Sequence, residues 1–472
     1  MPLVLVTVLL PIAAGALLFA LPRSAAAPSR VIGTLVAAAT IATTVVAGDA
    51  QWSFRWLSRP FTAAFHFGAT PISFWIALLL AVCTACAIAA TRVPRTRDMV
   101  ALILLLEGAM MGLFLTRDLL VFALCWDLML IPVFFALVAW GEHPATAWRY
   151  LIYNFAGGLT LLLATAAFGI IYGSTDVIGR SAAPFAGGWA EWIYAGFAFA
   201  FLVKTPIWPL HTWMPPTYSS LPSPMVAVVS AVQSKAGLYG FIAIALALLP
   251  AYVHAFALPL MVLGSISPIY GAVIALVQND AKRVVAYSSL SHLGLIAIAI
   301  ASGNTLALEG ALVYIVAHGL FSAALFLVLG YVEEREETRS LLRLGGLGWK
   351  NPRLAGALCI AALAALGLPG LAGFVGELII LIGVYQAGYV WPVVVALIAI
   401  IIASAYMLRL YQDIMNGPPV EDVPVRPDLG WVEALAVAPL LAALVIVGVY
   451  PAPLLATHLT GGAVTTTSSS TR

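Results

Sequence analysis

The stretch "FLVKTPIWPLHTWMPP", residues 201–216, sets a lysine in an apolar run and follows it with four prolines. Proline removes a backbone donor and clashes with the preceding helical turn, so a regular helix cannot continue through this stretch. In a membrane such a break is tolerated only where protein or a water-filled cavity satisfies the freed backbone groups. The stretch therefore predicts a discontinuous membrane helix beside a buried charge at Lys204.

The composition of the whole chain agrees with a membrane location. Of 472 residues, 62% are hydrophobic and only 9% are charged, against roughly 25% charged in an ordinary soluble domain. We predict an all-α membrane protein with about fourteen transmembrane helices, since each span needs about 20 mostly apolar residues. The predicted spans lie near 2–20, 31–48, 72–91, 98–115, 119–140, 150–172, 192–213, 224–249, 254–278, 284–301, 306–330, 354–384, 386–408 and 431–455.

The first apolar segment lacks a basic flank and a convincing cleavage site, so we interpret it as a retained helix and not as a signal peptide. The four cysteines all fall within predicted spans. Cys83 and Cys86 share a helical face, but a metal site would need two more ligands, so we expect packing and no metal. A formal net charge of +2 without a basic patch gives no indication of a nucleic-acid partner.

The positive charges predict an orientation, because cytoplasmic loops are enriched in Lys and Arg. With the N-terminus outside, fifteen of the 22 Lys and Arg residues fall in cytoplasmic loops, and Lys204 and Lys235 fit no loop. The five external ones are Arg55, Arg59, Arg117, Arg180 and Arg472. We therefore predict a multi-pass protein of a bacterial inner (cytoplasmic) membrane with both termini outside.

A second helix break, at 367–370 ("GLPG"), matches the break at 204–206. Each lies in the fourth helix of a five-helix block, and an odd number of helices makes the second block enter the membrane from the opposite side. Inverted repeats with broken helices are typical of transporters with a midplane ion site, although two unrelated packing kinks would leave the same pattern. The predicted units are 1–97 (helices 1–3), 98–250 (first inverted repeat, helices 4–8), 251–411 (second inverted repeat, helices 9–13) and 412–472 (helix 14 and a tail whose residues 464–471 we expect to be disordered).

Several ionisable residues fall deep inside predicted spans, where each costs about 2.5–3.5 kcal/mol on insertion scales and therefore suggests function. In chain order they are Asp127, Lys204, Lys235, His292, His318 and Glu377, with Glu107 as a possible accessory. A nearby carboxylate favours the charged form of a lysine, whereas desolvation favours the neutral form, so a lysine between these influences can load and release a proton. Histidine is the natural relay between such groups. The order predicts a proton wire.

Less specific interpretations stay open for some of these residues. His292 or His318 could simply hydrogen-bond two helices together, and Glu107 could pair with an arginine near a span end. The neighbourhood of Glu333, Glu334 and Arg335 is typical of either a solvated cytoplasmic loop or a docking surface.

The same residues resemble a known family, the antiporter-like membrane subunits of respiratory complex I, which are related to Mrp-type antiporters and membrane-bound hydrogenases. The resemblance is carried by "FLVKTPIWPLHTWMP", "QNDAKRVVAYSSLSHLG", "YIVAHGLFSAALF", "EEREETRSLLRLGGL" and "LGLPGLAGFVGELIILIG". It implies that Asp127 and Lys204 form a conducting pair, that Lys235 is central, and that His292 and His318 connect it to Glu377. A glutamate at that last position implies the M-type branch.

Three segments depart from the family pattern. The span 5 acid is Asp127, where the family usually has glutamate. After Trp213 the chain lacks the usual Asp-Ala-His segment, and 68–71 ("GATP") replaces the usual Gly-Val-Asp-Gly.

The resemblance implies a proton-translocating subunit of a complex I-type NADH:quinone oxidoreductase. No cofactor is expected in this chain, whereas NADH, FMN, iron–sulfur clusters and quinone are expected in other subunits. L-type and N-type antiporter-like subunits and the lipid bilayer are the expected partners. The alternatives are an Mrp-like sodium/proton antiporter, a bicarbonate-uptake partner, a subunit of a membrane-bound hydrogenase-type complex, and a structural spacer whose proton wire is broken.

Overall fold

The structure is a computed structural model that describes residues 2–179, 185, 187–417 and 427–457. Within these residues the chain is mostly helical, and eleven helices are long and apolar enough to cross a membrane. This confirms a helical membrane protein. Arg180, Arg426 and Arg472, which entered the charge count, and the tail at 464–471 lie outside the described residues.

The N-terminal part contains three helices and one short sheet. The helices are α1 (Leu3–Leu18), α2 (Ala26–Ala47) and α3 (Pro71–Ala90), and the strands are β1 (Gln51–Leu57) and β2 (Ala63–Gly68). The antiparallel hairpin of β1 and β2 corrects the prediction of a purely α-helical chain. It lies in the connection between the second and third predicted spans. Its strands, of seven and six residues, are much shorter than a membrane span, so apolar runs of span length do not indicate them.

One buried acid, Asp118, contributes several of the contacts that hold the hairpin. Its carboxylate accepts a hydrogen bond from the backbone of Ala64 at 2.9 Å and also caps the following helix through the amide of Leu120 at 2.8 Å. The hydroxyl of Thr175 donates to the same carboxylate at 2.9 Å. Burial raises the pKa of the Asp118 carboxyl, and these hydrogen bonds oppose the rise. Asp118 therefore ties three connecting segments together at one end of the helices.

The next block of the chain corresponds to the predicted helices 4–8. Its elements are α4 (Thr96–Leu115), α5 (Leu119–Leu128), α6 (Leu130–Trp140), α7 (Pro144–Tyr172), α8 (Ala190–Lys204), α9 (Met214–Ser220), α10 (Ser223–Val228), α11 (Lys235–Gly240) and α12 (Leu246–Leu248), with π-helical segments at Val229–Gln233 and Phe241–Ala245. Two sets of consecutive pieces, α5 with α6 and α10 through α12, act as single spans. Leu119–Trp140 and Ser223–Leu248 are each continuous enough to cross a membrane.

The proline-rich stretch breaks its helix as predicted. Helix α8 ends at Lys204, and the chain resumes a helix only at Met214. The predicted span 192–213 is therefore helical only in its first part. The indole of Trp213 donates a hydrogen bond to the carbonyl of Val203 at 3.0 Å, which satisfies one of the acceptors that the broken helix leaves free.

The following block corresponds to the predicted helices 9–13. Its elements are α13 (Pro250–Ala255), α14 (Ala257–Val277), α15 (Ala281–Ser302), α16 (Thr305–Glu336), a 3₁₀ turn (Leu341–Arg343), α17 (Leu347–Lys350), α18 (Pro352–Ala365), α19 (Ala372–Gln386) and α20 (Val390–Met415). The second predicted break is present between α18 and α19. The chain continues with α21 (Trp431–Val449) and α22 (Ala452–Leu455).

Helix α16 lies at the centre of the molecule, since every residue of its most apolar 18-residue stretch is buried. It also overturns the loop interpretation of Glu333, Glu334 and Arg335, which form its last turns. Arg335 is buried and donates to Glu433 of α21 at 2.7 Å, and Arg92 reaches the other oxygen of Glu433 at 2.7 Å. The charges pair across helix ends, so this segment is a structural junction.

Candidate functional site

Asp127 lies near the end of α5, against a glycine of α7. A Cβ atom added to Gly158 would stand only 1.8 Å from Oδ1 of Asp127, so no larger residue fits there without moving the carboxylate. Oδ1 is buried and has no hydrogen-bond partner among the described residues. The close approach of α7 therefore isolates one face of this acid from water.

Lys204 is the last residue of α8 and is 1% exposed. Its Nζ atom lies 5.0 Å from the ring centroid of Trp126 and has no hydrogen-bond partner among the described residues. No ion pair joins Lys204 to Asp127, although Trp126 precedes Asp127 in the chain and α7 packs beside both through Gly157 and Gly158. The expected pair is thus a pair of neighbours without direct contact, which fits the short aspartate side chain.

Lys235 is completely buried and begins α11, one residue after the π-helical segment Val229–Gln233. Its Nζ atom donates a hydrogen bond to the backbone carbonyl of Ser230. The helix containing Lys235 also packs closely on the end of α8, since a Cβ on Gly237 would stand 2.2 Å from the carbonyl oxygen of Phe201. The two lysines therefore lie on two helix segments that touch.

The segment behind Lys235 touches α16, which carries His318. The Ser230 and Ser322 hydroxyls are 3.5 Å apart, and a Cβ on Gly319 would stand 2.9 Å from the carbonyl oxygen of Ala231. Both ring nitrogens of His318 are buried without a hydrogen-bond partner among the described residues. His318 is therefore held by packing alone next to the segment that positions Lys235.

His292 on α15 stands next to His318, with ring centroids 5.6 Å apart. Phe321 packs against both rings, at 5.1 Å from His292 and 5.0 Å from His318. All three side chains are buried. His318 makes no hydrogen bond among the described residues, so the interpretation that it links two helices by hydrogen bonding does not fit. For His292 that interpretation fits one contact, with Tyr314.

A single hydroxyl connects His292 to Glu377. Nδ1 of His292 is 2.6 Å from the hydroxyl oxygen of Tyr314, and this hydroxyl donates to Oε1 of Glu377 at 2.5 Å. The direct distance from Nδ1 to Oε1 is 4.0 Å. The structure therefore brings together His318, His292 and Glu377, and it adds Tyr314 between the last two.

Glu377 itself lies on α19, just after the second helix break. Gly367 in that break has a φ of +76°, and a Cβ there would stand 2.3 Å from Oε2 of Glu377. The carboxylate is 6% exposed and borders a narrow crevice next to α20, whose wall includes Ala399 and Ala403. Gly367 in this break therefore packs against Glu377, just as Gly158 of α7 packs against Asp127.

Glu107 on α4 stands apart from these groups. It is completely buried, and neither carboxylate oxygen has a hydrogen-bond partner among the described residues. The alternative that Glu107 pairs with an arginine is therefore wrong. The structure gives it no contact with the other candidate residues.

Sequence reasoning missed four residues that surround the ionisable groups: Trp126, Gly158, Tyr314 and Phe321. It recognised Gly367 as part of a helix break but not as a neighbour of Glu377. Tyr314 carried one available signal, since it precedes His318 by four residues and so shares its helix face. Within the described residues no group of three or more His, Cys, Asp or Glu side chains could hold a metal ion, and the four cysteines are free.

Residues 116–403, which include both helix breaks and six of the seven candidate residues, match the family described as NADH:quinone oxidoreductase/Mrp antiporter, TM. The chain belongs to this family. NADH-quinone oxidoreductase subunit M of Rhodobacter capsulatus is 33% identical over 386 residues, covering 78% of this chain and 75% of that protein. Subunit M of Pseudomonas aeruginosa is 36% identical over 368 residues, covering 74% and 71%.

Two solved structures share the fold. A chain of respiratory complex I from Thermus thermophilus with bound NADH is 31% identical, with a TM-score of 0.86 over 97% of this chain and 100% of that chain. A chain of the Mrp complex from Dietzia is 24% identical, with a TM-score of 0.83 over 97% of this chain and 51% of that chain, a likeness of fold alone. The resemblance to antiporter-like membrane subunits of complex I, and to their M-type branch, is thus confirmed.

Proposed function

We propose that this subunit translocates protons across the membrane, driven by electron transfer in other subunits of a complex I-type NADH:quinone oxidoreductase. The proposal rests on the burial of two lysines and on their lack of ion-pair partners in the described part of the chain. Lys204 and Lys235 are buried among apolar helices, and neither has an ion-pair partner among the described residues. An ammonium group without an ion-pair partner in such a place is costly, so a lysine kept there favours a group that changes its proton occupancy.

The proposed path runs from Lys204 through Lys235 and the two histidines to Glu377. Helix contacts support its first part. Helix α11, which begins at Lys235, packs on the end of α8, and the π-helical segment before it packs on α16. Ring contacts and hydrogen bonds support its second part. Asp127, next to Lys204 but not bonded to it, is placed to bias that lysine when a neighbouring subunit changes its charge. Glu107 is assigned only an accessory role.

The work that each transfer needs is modest. Moving one charge against 100 mV costs about 2.3 kcal/mol. A change of about two pKa units at one group corresponds to about 2.7 kcal/mol. Small rearrangements of buried pairs therefore suffice to drive the proton.

We propose that fourteen membrane-crossing units carry this path. They are the eleven long helices, the shorter α1, and two broken helices formed by α8 with α9 and by α18 with α19. The proposed organisation keeps 98–250 and 251–411 as inverted repeats, flanked by 1–97 and 412–472. In support, each block has its broken helix in fourth place and a glycine pressed against a carboxylate.

We further propose a bacterial inner membrane location with both termini outside, in contact with L-type and N-type antiporter-like subunits. Electron carriers then belong to other subunits of the assembly. The family and the M-type relatives support this placement.

The lysine variants test the proposed function. We expect Lys204→Met and Lys235→Met to abolish most proton uptake by the complex in proteoliposomes, measured with a pH-sensitive dye during NADH oxidation. Lys350→Met removes an exposed lysine outside the spans and should leave uptake unchanged. Full proton uptake in both buried-lysine variants would refute the proposal, and sodium uptake in place of proton uptake by the unaltered complex would favour an Mrp-like antiporter.

A further inference from the structure

We propose that the hydroxyl of Tyr314 is itself a proton carrier, the obligatory step between His292 and Glu377. This inference rests on the proposed function and adds a catalytic residue to it. The two end groups are 4.0 Å apart, which is too far for a direct hydrogen bond. The Tyr314 oxygen lies 2.6 Å from one and 2.5 Å from the other.

The hydrogen bonds fix a direction for the proton. A tyrosine has one hydroxyl proton, and Tyr314 donates it to Oε1 of Glu377. The imidazole must then donate from Nδ1 to the tyrosine oxygen, because two acceptors cannot bond each other. This assigns the Nδ1–H tautomer to His292 and leaves Nε2 as the basic nitrogen. Nε2 is buried and has no hydrogen-bond partner among the described residues, so it is available to receive a proton.

The transfer balances without any further reactant. A proton arriving from the side of His318 bonds to Nε2 of His292, and the Nδ1–H bond breaks as its proton passes to the Tyr314 oxygen. The O–H bond of Tyr314 breaks as its own proton passes to Oε1 of Glu377. Tyr314 gains one proton and loses one, nothing is oxidised or reduced, and the net result is one proton on the Glu377 carboxylate.

Packing holds Tyr314 between these two groups. His292 and Tyr314 are 4% and 0% exposed, and the ring of Tyr314 packs edge-on to the imidazole with centroids 5.8 Å apart. Gly376, next to Glu377, is pressed against Tyr314, since a Cβ there would stand 2.7 Å from Cβ of the tyrosine. The hydroxyl is thus held in place from both sides by packing.

Tyr331, on the same helix α16, provides a matched control. It is also a buried tyrosine, 2% exposed, and its hydroxyl has no hydrogen-bond partner among the described residues. Tyr314→Phe and Tyr331→Phe therefore remove the same atom from two buried positions of one helix. Only the first removes the link between the end groups.

The experiment measures proton uptake per NADH oxidised by the reconstituted complex. Tyr314→Phe should lower the rate of proton transfer by about 10²-fold or more, the lower end of what a positioned acid–base group contributes, while Tyr331→Phe pumps normally. Replacing Tyr314 by 3-fluorotyrosine, which keeps a hydroxyl of lower pKa, should retain pumping and shift its pH profile to lower pH. Normal pumping by Tyr314→Phe would overturn the inference.

The fluorinated variant also decides the case in which Tyr314→Phe fails to assemble, because it preserves the hydrogen bonds. An unshifted pH profile in that variant would overturn the inference as well. The two proposals fail separately. If Tyr314→Phe pumps normally and Lys204→Met does not, only the tyrosine relay is wrong, whereas normal pumping by the lysine variants refutes the function itself.

Discussion

Gly367 should be essential for a reason that its neighbour Gly370 does not share. Both glycines have positive φ, +76° and +95°, so alanine at either position strains the backbone by about 1–2 kcal/mol. A Cβ on Gly367 would also stand 2.3 Å from Oε2 of Glu377, whereas nothing lies within 4 Å of a Cβ on Gly370. Gly367→Ala must therefore displace the Glu377 carboxylate, and Gly370→Ala must not.

The cost can be worked from the contact that would be lost. Glu377 accepts a hydrogen bond from Tyr314, and such bonds to a charged group contribute about 1.5–3 kcal/mol. A loss of this size in the transition state slows proton transfer by roughly 10- to 150-fold, since each 1.36 kcal/mol is a factor of ten.

The assay compares the two alanine variants in the reconstituted complex. Both should lose similar thermal stability, and only Gly367→Ala should lose proton uptake per NADH oxidised. Equal uptake in the two variants would refute the account of how the second helix break positions Glu377.

Two further predictions follow from other contacts. Gly158→Ala should displace Asp127 and impair pumping. Gly157→Ala should not, because its Cβ would meet Val203 at an ordinary contact distance of 3.4 Å. Equal pumping by the two variants would contradict the role given to Asp127. Glu433→Ala should destabilise the protein by about 3–5 kcal/mol by leaving buried Arg335 unpaired, measured by thermal unfolding. The partly exposed pair of Arg409 and Asp413 is its control, since Asp413→Ala should cost less than about 1 kcal/mol, and similar losses would contradict the burial argument.

The helical framework could be predicted from sequence because its signals are local. Long apolar runs predict spans, and eleven helices of the described residues are long and apolar enough to cross a membrane. The prolines after Lys204 and the segment at 367–370 predict helix breaks, and the structure contains both. The hairpin of β1 and β2 was missed because its strands are too short to register as spans. The loop interpretation of the segment near Arg335 was wrong because the partner of Arg335, Glu433, lies 98 residues away in the chain.

The ionisable residues were recognisable because each is conspicuous in an apolar span. Their connections were not, since these depend on helices far apart in sequence. Tyr314 meets Glu377 across 63 residues. Nothing in the sequence around Gly158 indicates its contact with Asp127, which only the structure shows. Conversely, the expected contact of Asp127 with Lys204 depends on side-chain length and on how Trp126 packs, which the resemblance alone could not specify.

The central claim is that this chain itself carries protons. The most direct test is the number of protons translocated per electron pair by the purified complex in proteoliposomes, with Lys235→Met beside the unaltered subunit. Lys235 is completely buried, and methionine preserves its apolar stem without the ammonium. The account predicts a lower proton-to-electron ratio in an assembled complex that still oxidises NADH, and an unchanged ratio would contradict it.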